Sequence, residues 1–63
     1  MPPEVLGLLV RYPETWYTAP EVTIILGSLN GRDVHEELRR LARHGEVSES
    51  RNDQGESVYR FFK

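Results

Sequence analysis

A chain of 63 residues and 7.3 kDa holds one small domain, which excludes a multi-domain enzyme and any sheet covered by helices on both faces. Hydrophobic residues at 38%, charged residues at 29% and a mean hydropathy of −0.54 describe a folding chain, while the absence of Cys excludes disulfides, thiolate metal sites and thiol catalysis. The net charge of −2 argues mildly against indiscriminate binding to nucleic acid or anionic lipid, yet the bases are uneven: Arg11 stands alone up to Gly31, whereas seven follow from Arg32 onward.

The apolar stretches, from Val5 to Val10 and from Ile24 to Leu26, are far shorter than the roughly 18 residues of a membrane span. The opening Met1-Pro2-Pro3-Glu4 puts no basic segment ahead of an apolar run, so no secretory leader is expected, and the cytoplasm is the expected location. Pro2 and Pro3 suit the start of a helix, and Val5, Leu8, Leu9 and Tyr12 then recur on one face. Pro13 ends that helix near Arg11 or Tyr12. Thr15-Trp16-Tyr17 reads as a brief strand.

Thr18-Ala19-Pro20-Glu21 has the form of a capping box, with Tyr17 and Val22 at the staple positions, and Gly27 is placed to stop a helix of about eight residues. Val22, Ile25 and Leu26 are expected to face inward. The β-branched run Val22-Thr23-Ile24-Ile25 supports a strand instead, but a strand has no use for the cap. After a turn through Ser28 and Leu29, where Leu29 is placed to plug the gap between helices, Asn30 caps a third helix with Asp33 as acidic partner. That helix runs from about Gly31 to His44, stops at Gly45 and turns Val34, Leu38 and Leu41 inward. Two β-prone runs around Asn52-Asp53-Gln54-Gly55 predict a hairpin, with Tyr59 and Phe61 inward and Val58, Arg60 and Phe62 on the other face.

Three helices, a small strand after the first and a terminal hairpin resemble the winged helix-turn-helix superfamily over almost the whole chain. The resemblance rests on Thr18-Ala19-Pro20-Glu21-Val22, on Val34, Leu38, Leu41, Gly45 and Val47 at their spacing, and on Val58-Tyr59-Arg60-Phe61. The chain looks most like short bacterial and archaeal regulators. The resemblance implies an α+β winged helix of one domain over residues 1–63 that binds double-stranded DNA in transcription regulation, with no cofactor.

With Val34, Leu38 and Leu41 inward, Arg32, Glu36, Arg39, Arg40 and Arg43 lie on the outer face of the third helix. In proteins of this kind that helix enters the major groove, which implies Arg32, Glu36 and Arg39 as base readers and Arg40 and Arg43 as phosphate contacts. The wing offers Arg51, Asn52, Gln54 and Arg60 to the backbone or minor groove, and Ser28 is placed to donate to a phosphate. The same helix residues also read as an ion-pair ladder, Arg32 to Glu36 and Glu36 to Arg40, on a solvated surface. Asn52 and Gln54 suit any tight turn, and Asp33 and Glu37 disfavour a phosphate-facing helix. Trp16 and Tyr17 are expected to fill the core rather than to stack on bases.

His35 and His44 do not form a metal site, and no nucleophile turn or phosphate loop suggests an enzyme. No small-molecule substrate is evident. Leu6, Val10 and Ile24 fall off the main helix faces, which suggests a homodimer or a protein partner. The alternative function is a winged-helix protein-interaction module within a larger assembly, for which the acidic pI and the mixed charge of the third helix speak.

Overall fold

The computed structural model describes residues 4–27 and 30–61, so Ser28 and Leu29 of the turn, Phe62, and the prolines Pro2 and Pro3 lie outside the described residues. Helix α1 spans Glu4–Arg11, with an acid in its first turn and a base in its last, each opposite in sign to the helix end it occupies. Val5 and Leu9, one turn apart, are buried. Tyr12 does not complete that face. It follows the helix, where the Thr15 amide donates to its carbonyl at 3.1 Å, and its side chain is exposed. Leu6, expected to be uncovered, is half-buried against the core.

Helix α2 spans Ala19–Leu26, so the β-branched run is helical. The capping box forms: Glu21 N–H donates to Thr18 Oγ1 at 3.2 Å, and Thr18 N–H donates to Glu21 Oε1 at 2.8 Å. At the other end Gly27 takes the left-handed conformation, φ 71°, which a side chain would strain. Ala19 and Val22 are buried and Leu26 packs beside them. That stripe leaves Ile25, expected inward, on the exposed flank, about 60° round from Val22 and away from Leu26.

Helix α3 spans Gly31–Arg43. Asn30 Oδ1 accepts from the Asp33 amide at 2.9 Å, and its own amide group donates to Asp33 Oδ2 at 3.0 Å. His44 belongs to the cap rather than to the helix. Gly45 N–H reaches the Ala42 carbonyl and Glu46 N–H the Leu41 carbonyl, the paired bonds of a Schellman ending. Val34, Leu38 and Leu41 have 1% exposure or less and meet Val5, Leu9, Val22 and Tyr59 in one cluster.

Strands β1 (Ser48–Arg51) and β2 (Ser57–Arg60) pair antiparallel, with Glu49 opposite Tyr59 and Arg51 opposite Ser57. Tyr17 bridges to Tyr59 through two 2.8 Å backbone bonds, so the expected brief strand is a single antiparallel bridge. Tyr59 enters the helical core, whereas Phe61, expected inward with it, is 38% exposed beyond the end of β2. Val58, placed on the outer face by alternation, is nevertheless buried. Trp16, expected in the core, is 37% exposed and lies under the Arg60 guanidinium, 4.4 Å from the ring centre.

The result is a small α+β domain of three helices and a two-stranded hairpin, in an order compatible with a winged-helix layout. Among the described residues no helix is long and apolar enough to cross a membrane.

Candidate nucleic-acid interface

The aliphatic stripe of α3 is anchored, and this turns Arg32, His35, Glu36, Arg39, Arg40 and Arg43 outward. Five of them, His35, Glu36, Arg39, Arg40 and Arg43, line one shallow depression along the helix. The arginines differ in what they touch. Arg32 stands 4.0 Å from Glu36 with both side chains in solvent, a geometry that contributes little. Arg40 does not join Glu36 as the ladder reading expects. It forks onto Glu37, with Nε donating to Oε1 at 3.0 Å and Nη2 to Oε2, and this bond together with the carboxylate charge raises the Arg40 pKa above its ordinary value. Arg39 and Arg43, one turn apart, have no carboxylate within ion-pair distance among the described residues.

Glu37 is therefore not an acid at the leading edge of the face, as the sequence suggests. It is 8% exposed, at the border of the buried stripe between Val34 and Leu41, and its charge is met by Arg40. The spacing held this signal: position 37 follows Val34 by three and precedes Arg40 by three, so one side of the residue faces the core and the other a guanidinium.

The hairpin uses its polar residues internally. Asn52 Oδ1 accepts from the amides of Gln54 at 3.0 Å and Glu56 at 2.9 Å, and Asn52 Nδ2 donates to Glu56 Oε1 at 3.0 Å. Arg51 Nη1 donates to the Gly55 carbonyl at 2.7 Å across the same turn, where Gly55 has φ 81°. Gln54 is exposed at the tip. Arg60 is half-buried on Trp16, so the guanidinium face toward that ring is covered. Ser28 lies outside the described residues.

Of the candidate contact residues off the main face, Leu6 is packed on the core, whereas Val10 is 47% and Ile24 79% exposed. Ile24 borders an apolar groove with Ala19, Pro20, Thr23, Gly31 and His35, between α2 and the start of α3. Among the described residues no three His, Cys, Asp or Glu side chains gather where they would hold a metal ion.

A tyrosine hydroxyl ties together the two strands of the hairpin. Tyr59 Oη donates to Glu49 Oε2 at 3.3 Å, and burial, followed by the charge of Glu49, pushes the Tyr59 pKa above its ordinary value. No family model matches the chain, and comparison with curated proteins finds no match.

Proposed function

We propose that this chain is a winged helix-turn-helix domain that binds duplex DNA without chemistry of its own, with α3 in the major groove and the hairpin along the backbone, in the service of transcription regulation. The observation that carries the reading is the pair Arg39 and Arg43, exposed one turn apart on a helix whose back is anchored, with no carboxylate of the described residues neutralising either. One turn separates them by about 6 Å along the helix, a reach that spans neighbouring phosphates, and a guanidinium can also pair with a guanine edge. Arg32 and Glu36 sit nearer the leading end of α3, where base edges are reached in such docking. Arg51 and Asn52 serve mainly to hold the wing in shape, and Gln54 and Arg60 are its secondary contacts.

The test is fluorescence anisotropy of a labelled random duplex titrated at several salt concentrations. Binding should weaken linearly in log–log form, with a slope of about −0.9 per phosphate neutralised, and Arg43→Ala should remove about one such unit at every sequence. Arg39→Ala should reduce discrimination between duplexes as well. An affinity that does not respond to salt refutes the reading.

The exposed Ile24 and its apolar groove favour a second reading, a protein-interaction module, or a homodimer using Val10 and Ile24. A stoichiometric protein partner combined with no duplex binding at low salt selects it.

A further inference from the structure

On the face just described, three of the four α3 arginines line one depression, but they are not equivalent: Arg39 and Arg43 are unmatched by carboxylates, whereas Arg40 is gripped through two nitrogens by Glu37. An i,i+3 pair on a helix surface is usually solvated at both ends. Here the acid is almost fully buried and cannot swing away, while the Arg40 side chain is 46% exposed and can. The bidentate bonds occupy the Nε/Nη2 edge of the guanidinium and set a carboxylate charge against its own, which weakens the pull of a phosphate on the donors that remain, and Glu46 adds a weaker attraction on the same guanidinium. Glu36, the acid one turn before Arg40, makes no ion pair with it.

We propose that Glu37 sets the duplex affinity of this domain by withholding Arg40 from the phosphate backbone, so that binding strength is left to the Arg39–Arg43 pair and non-specific attraction is held down. This rests on the duplex-binding reading. Glu37 is a positioning residue: it acts through Arg40 and touches no nucleic acid. Replacing it by the near-isosteric Gln keeps the volume at the edge of the core and removes the charge that closes the fork.

The experiment is the salt dependence of binding to one random duplex for wild type, Glu37→Gln, Arg40→Ala and the double variant, each verified as folded by circular dichroism. Releasing one arginine should steepen the log–log slope by about 0.9, so the affinity gain of Glu37→Gln over wild type should shrink about 3.5-fold between 50 and 200 mM salt. Arg40→Ala should leave the wild-type slope unchanged, and the double variant should return to it. That last comparison separates release of Arg40 from mere loss of an acidic charge. An unaltered slope in Glu37→Gln, or a steeper one that persists in the double variant, overturns the proposal while duplex binding stands. If Glu37→Gln does not fold, Arg40→Ala decides alone, since a slope shallower by one unit means Arg40 already holds a phosphate. Absence of salt-dependent binding in wild type overturns the duplex reading, and this inference with it.

Discussion

Replacing Leu38 by Ala tests the anchoring of α3 on which the orientation of its arginines depends. Leu38 has no exposed surface and belongs to the cluster that joins Val5 and Leu9 of α1, Val22 of α2 and Tyr59 of β2. Truncating such a side chain costs about 2–5 kcal/mol, from lost burial plus the cavity left behind. The site has little freedom to collapse, because α2 and α3 are each closed at both ends by hydrogen-bonded caps. The loss should therefore lie near the middle of that range, about 3 kcal/mol, against a total of roughly 3–5 kcal/mol for a core of this size. With a urea dependence near 1 kcal/mol per molar, expected for so short a chain, the midpoint should fall by about 3 M. The variant would be partly unfolded in buffer. The control is Ile24→Ala, at a side chain 79% exposed, which should change stability by no more than about 0.5 kcal/mol. Urea titrations followed by circular dichroism at the helix band read both. A Leu38→Ala midpoint within about 0.5 M of wild type, or an equal loss in the two variants, would refute the packing argument.

Asn52→Ala should lower stability by about 1–2 kcal/mol, because it removes the acceptor of two turn amides and the donor to Glu56. The melting temperature should drop by several degrees, whereas duplex affinity, measured where the variant is fully folded, should hold. Tyr59 gives the domain an alkaline limit. Its folded-state pKa lies above the unfolded value near 10, so the folded state retains a proton that the unfolded state gives up. That contribution is complete below about pH 10 and is lost as pH rises through the folded-state value; urea midpoints taken across this range should fall more steeply for wild type than for Tyr59→Phe.

The elements that were legible in the sequence are those bounded by local chemistry. Thr18 with Glu21, Asn30 with Asp33, and the glycines Gly27 and Gly45 each mark a helix end by a bond that forms within a few residues, and each does so here. Helical spacing likewise put Val34, Leu38 and Leu41 in the core. What escaped was decided between elements. Arg40 has acids at both three and four residues' distance, and the burial of Glu37 beside the core, to which only its three-residue spacing from Val34 points in the sequence, selects between them. Ile25 and Tyr12 have the composition of core residues, but where Val22 and Leu9 point sets which flanks stay uncovered. Trp16 is large and apolar, yet its neighbour Tyr17 makes the bridge to Tyr59 and sends its own ring inward, so alternation turns Trp16 to the outer face under Arg60. For the candidate site, the sequence located the face of α3 but not which of its arginines remain available.

That availability bears on how an acidic domain would meet a polyanion at all. On the duplex-binding reading, the net charge of −2 opposes approach in most orientations, and the side where Arg39 and Arg43 project without counter-charges of their own is one that would attract. Encounter would then be orientation-selective, with the field favouring approaches in which α3 leads. Two phosphate-matched guanidiniums supply only a shallow salt dependence, far short of the six to ten contacts found in strongly salt-sensitive complexes. On the duplex-binding reading, tight association therefore requires either base contacts from Arg32, Glu36 and Arg39 or a second domain tethered to the first, because linking two weak sites multiplies affinity without any new contact. Val10 and Ile24 are exposed apolar side chains available to such a pairing, and light scattering alongside the salt titration distinguishes the two routes: a monomer that discriminates between duplexes relies on base contacts, and a dimer that does not relies on multiplicity.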